Sequence, residues 1–290
     1  MRLMRRALVL LLVLVAAIGC QQQAMTGGKP RPKGSHTVVS LAPGTTELAT
    51  AFGSTYNLLG RTQACNYPVG VEHAPVVATT KPDYEKISSI NPEVILYDST
   101  LYSPGDIQKL QSLGPKLVEV KGDTVDQFIQ CLFPLGKALH NESKMSEYAD
   151  NILAARNGAL ADPLPKEQKV AMVMTSDKGL GYVAASGSFQ ADCGRAAGAN
   201  IVGPQGNAFL PVNVEAFLQM NPDIIVVAVS RKDADKDIQA LLSDPQLQGL
   251  NAIKAKRIVP VDGDVLLRRG SRVDKLIDSL HRSLKKVSQG

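Results

Sequence analysis

The chain has 290 residues, 44% hydrophobic and 20% charged, with a formal net charge of +5. Arg2, Arg5 and Arg6 supply three of those charges, so the remainder from residue 20 onward carries only about +2 and has no basic patch, which disfavours nucleic-acid binding. The length suits two domains of ordinary size, and tryptophan is absent.

The three arginines precede an apolar run, residues 7–18. That run is shorter than the ~20 residues a spanning helix needs, and it has the form of a secretory signal over residues 1–19. It ends Ala17-Ile18-Gly19-Cys20, which resembles the lipobox of bacterial lipoproteins, with Ala17 where leucine is usual. The resemblance implies cleavage that leaves Cys20 as a lipid-bearing N-terminus. Residues 20–35, polar with Gly and Pro, then read as a tether. The expected location is extracytoplasmic, held at a membrane by lipid. Cys65, Cys131 and Cys193 are odd in number and lack metal-type spacing, so no disulfide is assigned among them.

The body opens with a strand at 37–42, closed by Pro43-Gly44, after which Thr45 is expected to cap a helix reaching Gly53. Residues 83–96 then carry a phrase that residues 213–226 repeat. Each copy has an Asx N-cap (Asp83, Asn213), a glutamate in the first helical turn (Glu85, Glu215) and an Asn-Pro stop (Asn91-Pro92, Asn221-Pro222) before a β-branched strand. A helix at 107–113 and a strand at 116–120 close the first half. Residues 124–161 read as two helical pieces, with Pro134 interrupting or kinking the first and Ser143 capping the second. With no Gly/Ser linker present, this segment predicts a stiff spacer and little hinge motion.

The second half repeats the order of the first: a strand at 169–174, a helix at 189–197, the repeated helix and strand, a short helix at 238–241 and a strand at 257–261. Val38 precedes Glu85 by 47 residues and Val170 precedes Glu215 by 45. An amphipathic helix at 273–287 ends the chain. Strands alternating with helices predict an α/β fold of two Rossmann-like lobes with mostly parallel sheets, joined by a long rigid helix, with a ligand cleft between them. The expected division is a first lobe at 36–123, a helical linker at 124–166 and a second lobe at 167–290.

Val39-Ser40-Leu41-Ala42-Pro43 with Thr46-Glu47, Gly60 through Tyr67-Pro68, Gly198-Ala199-Asn200-Ile201-Val202 and the two glutamate phrases together resemble the binding components of ABC importers for iron–siderophore, haem and cobalamin. The match runs from about residue 36 to the end, and its strength lies in order and spacing. The resemblance implies a monomeric receptor that is not an enzyme and that serves a permease dimer with its ATPase. It also implies that Glu85 and Glu215 dock onto permease arginines, one carboxylate per lobe. A glutamate in a first helical turn also stabilises the helix dipole by ~0.3–1 kcal/mol, and the two roles are compatible. Cobalamin is the first expectation for the ligand, because the loop Cys65-Asn66-Tyr67-Pro68 looks like one beside the cleft in cobalamin-type members; ferric siderophore or haem follows.

In open α/β sheets, ligands meet the loops beyond the carboxyl ends of the strands. That rule nominates Pro43, Thr45, Asn66, Tyr67, Lys81, Tyr97 and Tyr102 on one lobe. On the other it nominates Tyr182, Phe209, Arg231, Arg268 and Arg269, with Arg272 nearby. The tyrosines offer a stacking face or a phenol, although a packing role is at least as common for each. The arginines suit carboxylate or phosphate, and roughly half of the four are expected to be solvated surface. The histidines, His36, His73, His140 and His281, are far apart along the chain, so a bare metal site is not expected. No protein cofactor is expected. The alternative reading is an extracytoplasmic lipoprotein enzyme or a non-transport binding protein on the same fold; no hydrolase motif sits at a strand–helix turn.

Overall fold

Apolar residues alternate along the central strands, and this period of two sends neighbouring side chains into different cores. The computed structural model describes residues 36–53, 57–176, 179–230 and 232–289. The signal segment, Cys20, the tether and Arg231 therefore lie outside the described residues. The first lobe holds β1 (Thr37–Ser40), α1 (Pro43–Phe52), β2 (Asn57–Thr62), β3 (Val76–Ala78), α2 (Tyr84–Ile90), β4 (Val94–Tyr97), α3 (Pro104–Ser112) and β5 (Lys116–Glu119). Its strands run in the order β3-β2-β1-β4-β5, and every pairing is parallel.

Helices α4 (Val125–Ala138) and α5 (Glu142–Ala161) lead to the second lobe. It contains β6 (Lys169–Ser176), β7 (Gly179–Ala184), α6 (Phe189–Ala196), β8 (Asn200–Ile201), β9 (Phe209–Pro211), α7 (Val214–Met220) and β10 (Ile224–Val229). It ends with α8 (Ala234–Leu242), α9 (Asn251–Lys254), β11 (Ile258–Asp262), α10 (Gly263–Leu266) and α11 (Val273–Gln289). The sheet order is β11-β10-β6-β7-β9, with β8 also on β6.

The duplication survives in three dimensions. Val38 pairs with Val94 in the first lobe, as Val170 pairs with Ile224 in the second. The Asp83 carboxylate accepts from the Lys86 N–H and the Asn213 side chain from the Ala216 N–H, so both repeated helices have the expected caps. Asn91 and Asn221 end them in the left-handed region, at φ 48 and 43, a conformation asparagine tolerates better than most residues.

Each sheet shares one face with the other lobe. Val38, Val94 and Leu96 of the first sheet and Val170, Met172, Ile224 and Val226 of the second belong to one continuous core. Leu132, Leu135 and Leu139 at α4, Met145, Tyr148 and Ile152 of α5, and Leu276, Ile277 and Leu280 of α11 fill the space between them. The alternate residues Val39, Ile95 and Tyr97 face a second core, and Ala171, Val173, Ile225 and Val227 a third. Fully burying one such aliphatic side chain is worth roughly 1.5–3 kcal/mol, so this shared core resists separation of the lobes.

Residues 124–161 form the two expected helical pieces, α4 and α5, which pack into the shared core. Three local expectations need correction. Pro134 sits inside α4 without ending it. Helix α5 starts one residue before Ser143, with Asn141 at its N-cap position. Pro43 opens α1, so Thr45 lies within the helix and does not cap it. The second sheet keeps parallel pairing among β11, β10, β6 and β8, while β7 pairs antiparallel with both β6 and β9. Two glycines allow this: Gly179 takes φ 101 at the hairpin, and a Cβ on Gly181 would come within 2.9 Å of the Met174 carbonyl oxygen.

Candidate functional site

The carboxyl ends of β1 and β4 face those of β6, β10 and β11 across a cleft, and the backbone closes in around it at two glycines. A Cβ on Gly44, at the start of α1, would lie 2.5 Å from the Arg269 carbonyl oxygen. A Cβ on Gly270 would lie 2.4 Å from Glu47 Oε2. Lacking a side-chain cap, α1 is held by hydroxyls: Thr45 and Thr46 both donate to the Ala42 carbonyl, at 2.9 and 3.0 Å, and Thr46 also donates to Ser40 Oγ at 2.7 Å.

This rigid helix start presents Glu47, which is 1% exposed, to the second lobe. Arg272 donates to it twice, through Nε to Oε2 at 3.0 Å and through Nη2 to Oε1 at 2.6 Å. Burial opposes the Arg272 charge, but the hydrogen bond and charge of Glu47 overcome it and hold the guanidinium pKa above its usual value. The same guanidinium lies 4.1 Å from the centre of the Tyr67 ring. Arg268 donates to Glu47 at 3.3 Å, to Asn66 Oδ1 at 2.7 Å and to Asp264 Oδ1 at 2.5 Å. Asn66 in turn donates to Asp264 Oδ2 at 2.8 Å. Arg269 donates to the Gly122 carbonyl at 2.8 Å and faces Asp98 at 3.4 Å and Asp123 at 3.7 Å. Tyr148 of α5 fixes the segment between them, donating to the Gly270 carbonyl at 2.7 Å and accepting from the Val273 N–H at 2.9 Å.

Two adjoining cavities open beside this network and share Gly263, Asp264 and Leu267. One, about 520 Å³, is lined by Asn66, Met174, Thr175, Val229, Lys232 and Asp237 among others. The other, about 360 Å³, is bounded by Pro43, Thr45, Asp98, Leu101, Arg268 and Arg269 among others. A third, about 590 Å³, lies between Thr100, the segment 121–123, α4 and Asn207. Among the described residues lining the first two, the cations Lys232, Arg268 and Arg269 face four carboxylates, Asp98, Asp237, Asp262 and Asp264.

Of the nominated residues, Pro43, Thr45, Asn66, Arg268 and Arg269 thus come together at the cleft. The tyrosines do not line these cavities. Tyr97 is buried in the outer core of the first lobe, and Tyr102 donates its hydroxyl to the Leu41 carbonyl at 2.6 Å. Burial, reinforced by nearby acidic groups, pushes the Tyr102 phenol up to about 12. Tyr67 lies under Arg272; Tyr182 stands on β7 opposite Pro211 and is 45% exposed. Phe209 packs partly buried against the shared core, and Lys81 is exposed and lies outside the cavity linings. Arg268, Arg269 and Arg272 are all ion-paired and at most 13% exposed, so none is the solvated surface arginine expected for about half the set.

Glu47 and Arg272 form the contact that residue-by-residue reading missed. Nothing in the sequence around either residue signals the pairing; the burial of Glu47 among Thr45, Thr46, Leu48 and Ala49 emerges only in the fold. The histidines also depart from expectation, since folding brings His36 and His140 together beside Glu93. Cys65, Cys131 and Cys193 are free thiols.

The chain is 24% identical over 273 residues to the uncharacterised ABC transporter substrate-binding lipoprotein YvrC of Bacillus subtilis (strain 168), covering 88% of this chain and 81% of that protein. Among solved structures, it resembles the periplasmic haem-binding protein BhuT in complex with two haems, with a TM-score of 0.75, 23% identity and coverage of 88% and 99%. It is also similar to the periplasmic vitamin B12 binding protein BtuF of Vibrio cholerae, with a TM-score of 0.74, 18% identity and coverage of 89% and 100%. The sequence matches the periplasmic binding protein family over residues 38–265, and with the two-lobed fold just described, the chain belongs to that family.

Proposed function

We propose that this protein is the membrane-tethered receptor of an ABC importer, capturing a metal chelate in its cleft and delivering it to a permease dimer and its ATPase. It performs no chemistry on the chelate and acts as a monomer, anchored through Cys20. Delivery rests on Glu85 and Glu215. Both are exposed in the first turn of matched helices, and in a βαβ unit the helix N-terminus lies at the carboxyl edge of the sheet, the cleft side. One carboxylate per lobe gives a two-fold partner a pair of contacts whose spacing reports the lobe arrangement, and charge complementarity of this kind sets register and on-rate.

The chemistry of the cleft wall carries the ligand assignment. Its arginines are already paired with Glu47, Asp264, Asp98 and Asp123, so a strongly anionic chelate finds little spare positive charge. No histidine or tyrosine is among the described residues lining the two central cavities, and those are the usual axial ligands for haem. A chelate with its metal already saturated and its net charge near zero fits best. That ranks cobalamin first, a near-neutral ferric siderophore second and haem third.

The test is a titration of the lipid-free body, from residue 21 onward, with cobalamin, haem and a panel of ferric siderophores, read by melting temperature and stoichiometry. One cobalamin per chain with a saturable rise in Tm supports the reading. Haem binding alone, with a shifted Soret band, would overturn the ranking. Turnover of any of them would replace the receptor with an enzyme.

A further inference from the structure

We propose that His36, Glu93 and His140 form a binding site for one divalent transition-metal ion, with Zn2+ as the matching probe. The site lies on the edge of the first lobe opposite the cleft. His36 directly precedes β1 and Glu93 directly precedes β4, so both stand at the amino ends of parallel strands whose carboxyl ends face the cleft. His140 comes from the corner between α4 and α5. Three segments that are remote in sequence thus place two imidazoles and a carboxylate side by side.

One ligand atom from each residue lies within 4.8 Å of the other two. Zinc takes imidazole nitrogen and carboxylate oxygen at about 2.0–2.2 Å, which sets ligand atoms around a tetrahedral ion roughly 3.4 Å apart. His36 Nδ1 and Glu93 Oε2 already stand at 3.4 Å. The His140 ring, 5.4 Å from the His36 ring by centroids and tilted at 55°, completes the triangle after a modest rotation. That rotation is open to it, because His140 is exposed. A set of two imidazoles and one carboxylate suits Zn2+, Cu2+ or Ni2+ rather than the oxygen-seeking Mg2+ or Ca2+, and it leaves a fourth position for water.

The frame behind these side chains is fixed. The His36 carbonyl accepts from the Asn57 N–H at 2.9 Å, and the Glu93 N–H donates to the Thr37 carbonyl at 3.1 Å and to its hydroxyl at 3.0 Å. The Asn141 N–H donates to the Gly136 carbonyl at 2.9 Å, and its side chain donates to the Phe52 carbonyl. A bound ion would tie the entry of the chain into β1 to the α4–α5 corner and stabilise the first lobe by mass action.

The test uses the full-length chain without a polyhistidine tag, stripped with EDTA and titrated calorimetrically with Zn2+, then with Co2+ for its visible spectrum. The expected result is one equivalent of Zn2+, a tetrahedral Co2+ spectrum and a rise in Tm. His140→Ala and Glu93→Gln should each weaken binding by about tenfold or more, while His73→Ala, in a separate exposed turn, should not. Absence of saturable binding, or equal affinity in all four proteins, would overturn the proposal. Cobalamin titration of the same variants separates this site from the cleft, since neither substitution should change that affinity and the metal site stands whatever the cleft binds.

Discussion

Removing Arg272 tests whether the two lobes are joined electrostatically at Glu47. In Arg272→Met the aliphatic volume stays but Glu47, 1% exposed, keeps only Arg268 at 3.3 Å. Taking away one partner of a buried pair costs about 3–5 kcal/mol, because the remaining charge is stranded in low dielectric. Arg268 softens that loss. The bond from Arg272 to the Asp264 carbonyl at 3.1 Å, worth about 1 kcal/mol, and the contact with the Tyr67 ring, worth roughly 0.5–2 kcal/mol, add to it. These terms are not additive, and a net loss of about 4 kcal/mol is expected. At about 2–4 °C per kcal/mol for a protein of this size, that is a fall in Tm of roughly 8–16 °C. Glu47→Leu leaves two guanidiniums facing each other but lets Arg268 keep Asp264 and Asn66, for a loss of about 3 kcal/mol. Replacing both ends with apolar residues restores a neutral contact, so the double variant should recover about 2 kcal/mol or more of the summed losses. Urea unfolding of the four proteins gives the cycle, with an unchanged m-value required for the comparison. Single losses below about 1 kcal/mol with no coupling would mean that the pair is solvated and that the lobes are not joined there.

Reversing charge in Glu85→Lys or Glu215→Lys should leave chelate affinity intact and reduce uptake in cells, and unchanged uptake in the double reversal would remove the docking role. Gly270→Ala forces a methyl to 2.4 Å from Glu47 Oε2 and should destabilise by roughly 1–3 kcal/mol in the same urea assay. Leu132→Ala empties part of the core shared by both lobes and should cost about 2–5 kcal/mol while unfolding stays a single transition; two separate transitions would refute the shared core. Asp106 is held at about 2 by the Ser103 hydroxyl first and the Tyr84 hydroxyl next, against an ordinary 3.8. Its folded pKa is the lower one, so its stabilisation is present above about pH 3.8 and is lost as pH falls toward 2. Carboxyl NMR should show the Asp106 titration moving up toward 3.8 in Ser103→Ala.

What the sequence made legible was whatever is local or repeated. The paired phrases at 83–96 and 213–226 predicted two lobes, and their caps, helices and strands form where expected because Asx caps and Asn-Pro stops act within a few residues. The carboxyl-end rule nominated Pro43, Thr45, Asn66, Arg268 and Arg269, and the fold places these five on the linings of two adjoining cavities. Contacts between remote segments were not legible. Glu47 and Arg272 are 225 residues apart, and nothing local marks them as partners. His36 and His140 looked isolated for the same reason. The tyrosines misled in the opposite way, since a loop position at the end of a strand says nothing about whether the ring turns inward, as Tyr97 does.

The joined lobes bear on how a receptor of this kind could release its cargo. A hinged receptor closes around its ligand and opens to let it go, which requires lobes that separate at little cost. Here the same core runs through both sheets and the helices between them, and Glu47, Asn66, Asp98 and Asp123 of the first lobe are tied to Arg268, Arg269 and Arg272 of the second. Breaking that seam costs several kcal/mol on the magnitudes above, more than a ligand bound at micromolar affinity, about 8.2 kcal/mol in all, could readily divert to a conformational change. Capture should therefore involve small movements of the exposed rim, such as Leu101. The energy for opening the seam then has to come from outside the protein, and under the docking proposed for Glu85 and Glu215 a permease gripping one carboxylate on each lobe would supply it. On that logic, loosening the seam with Arg272→Met should make release easier and raise the chelate off-rate, even where the variant is less stable. An off-rate unchanged from wild type would show that the seam has no part in release.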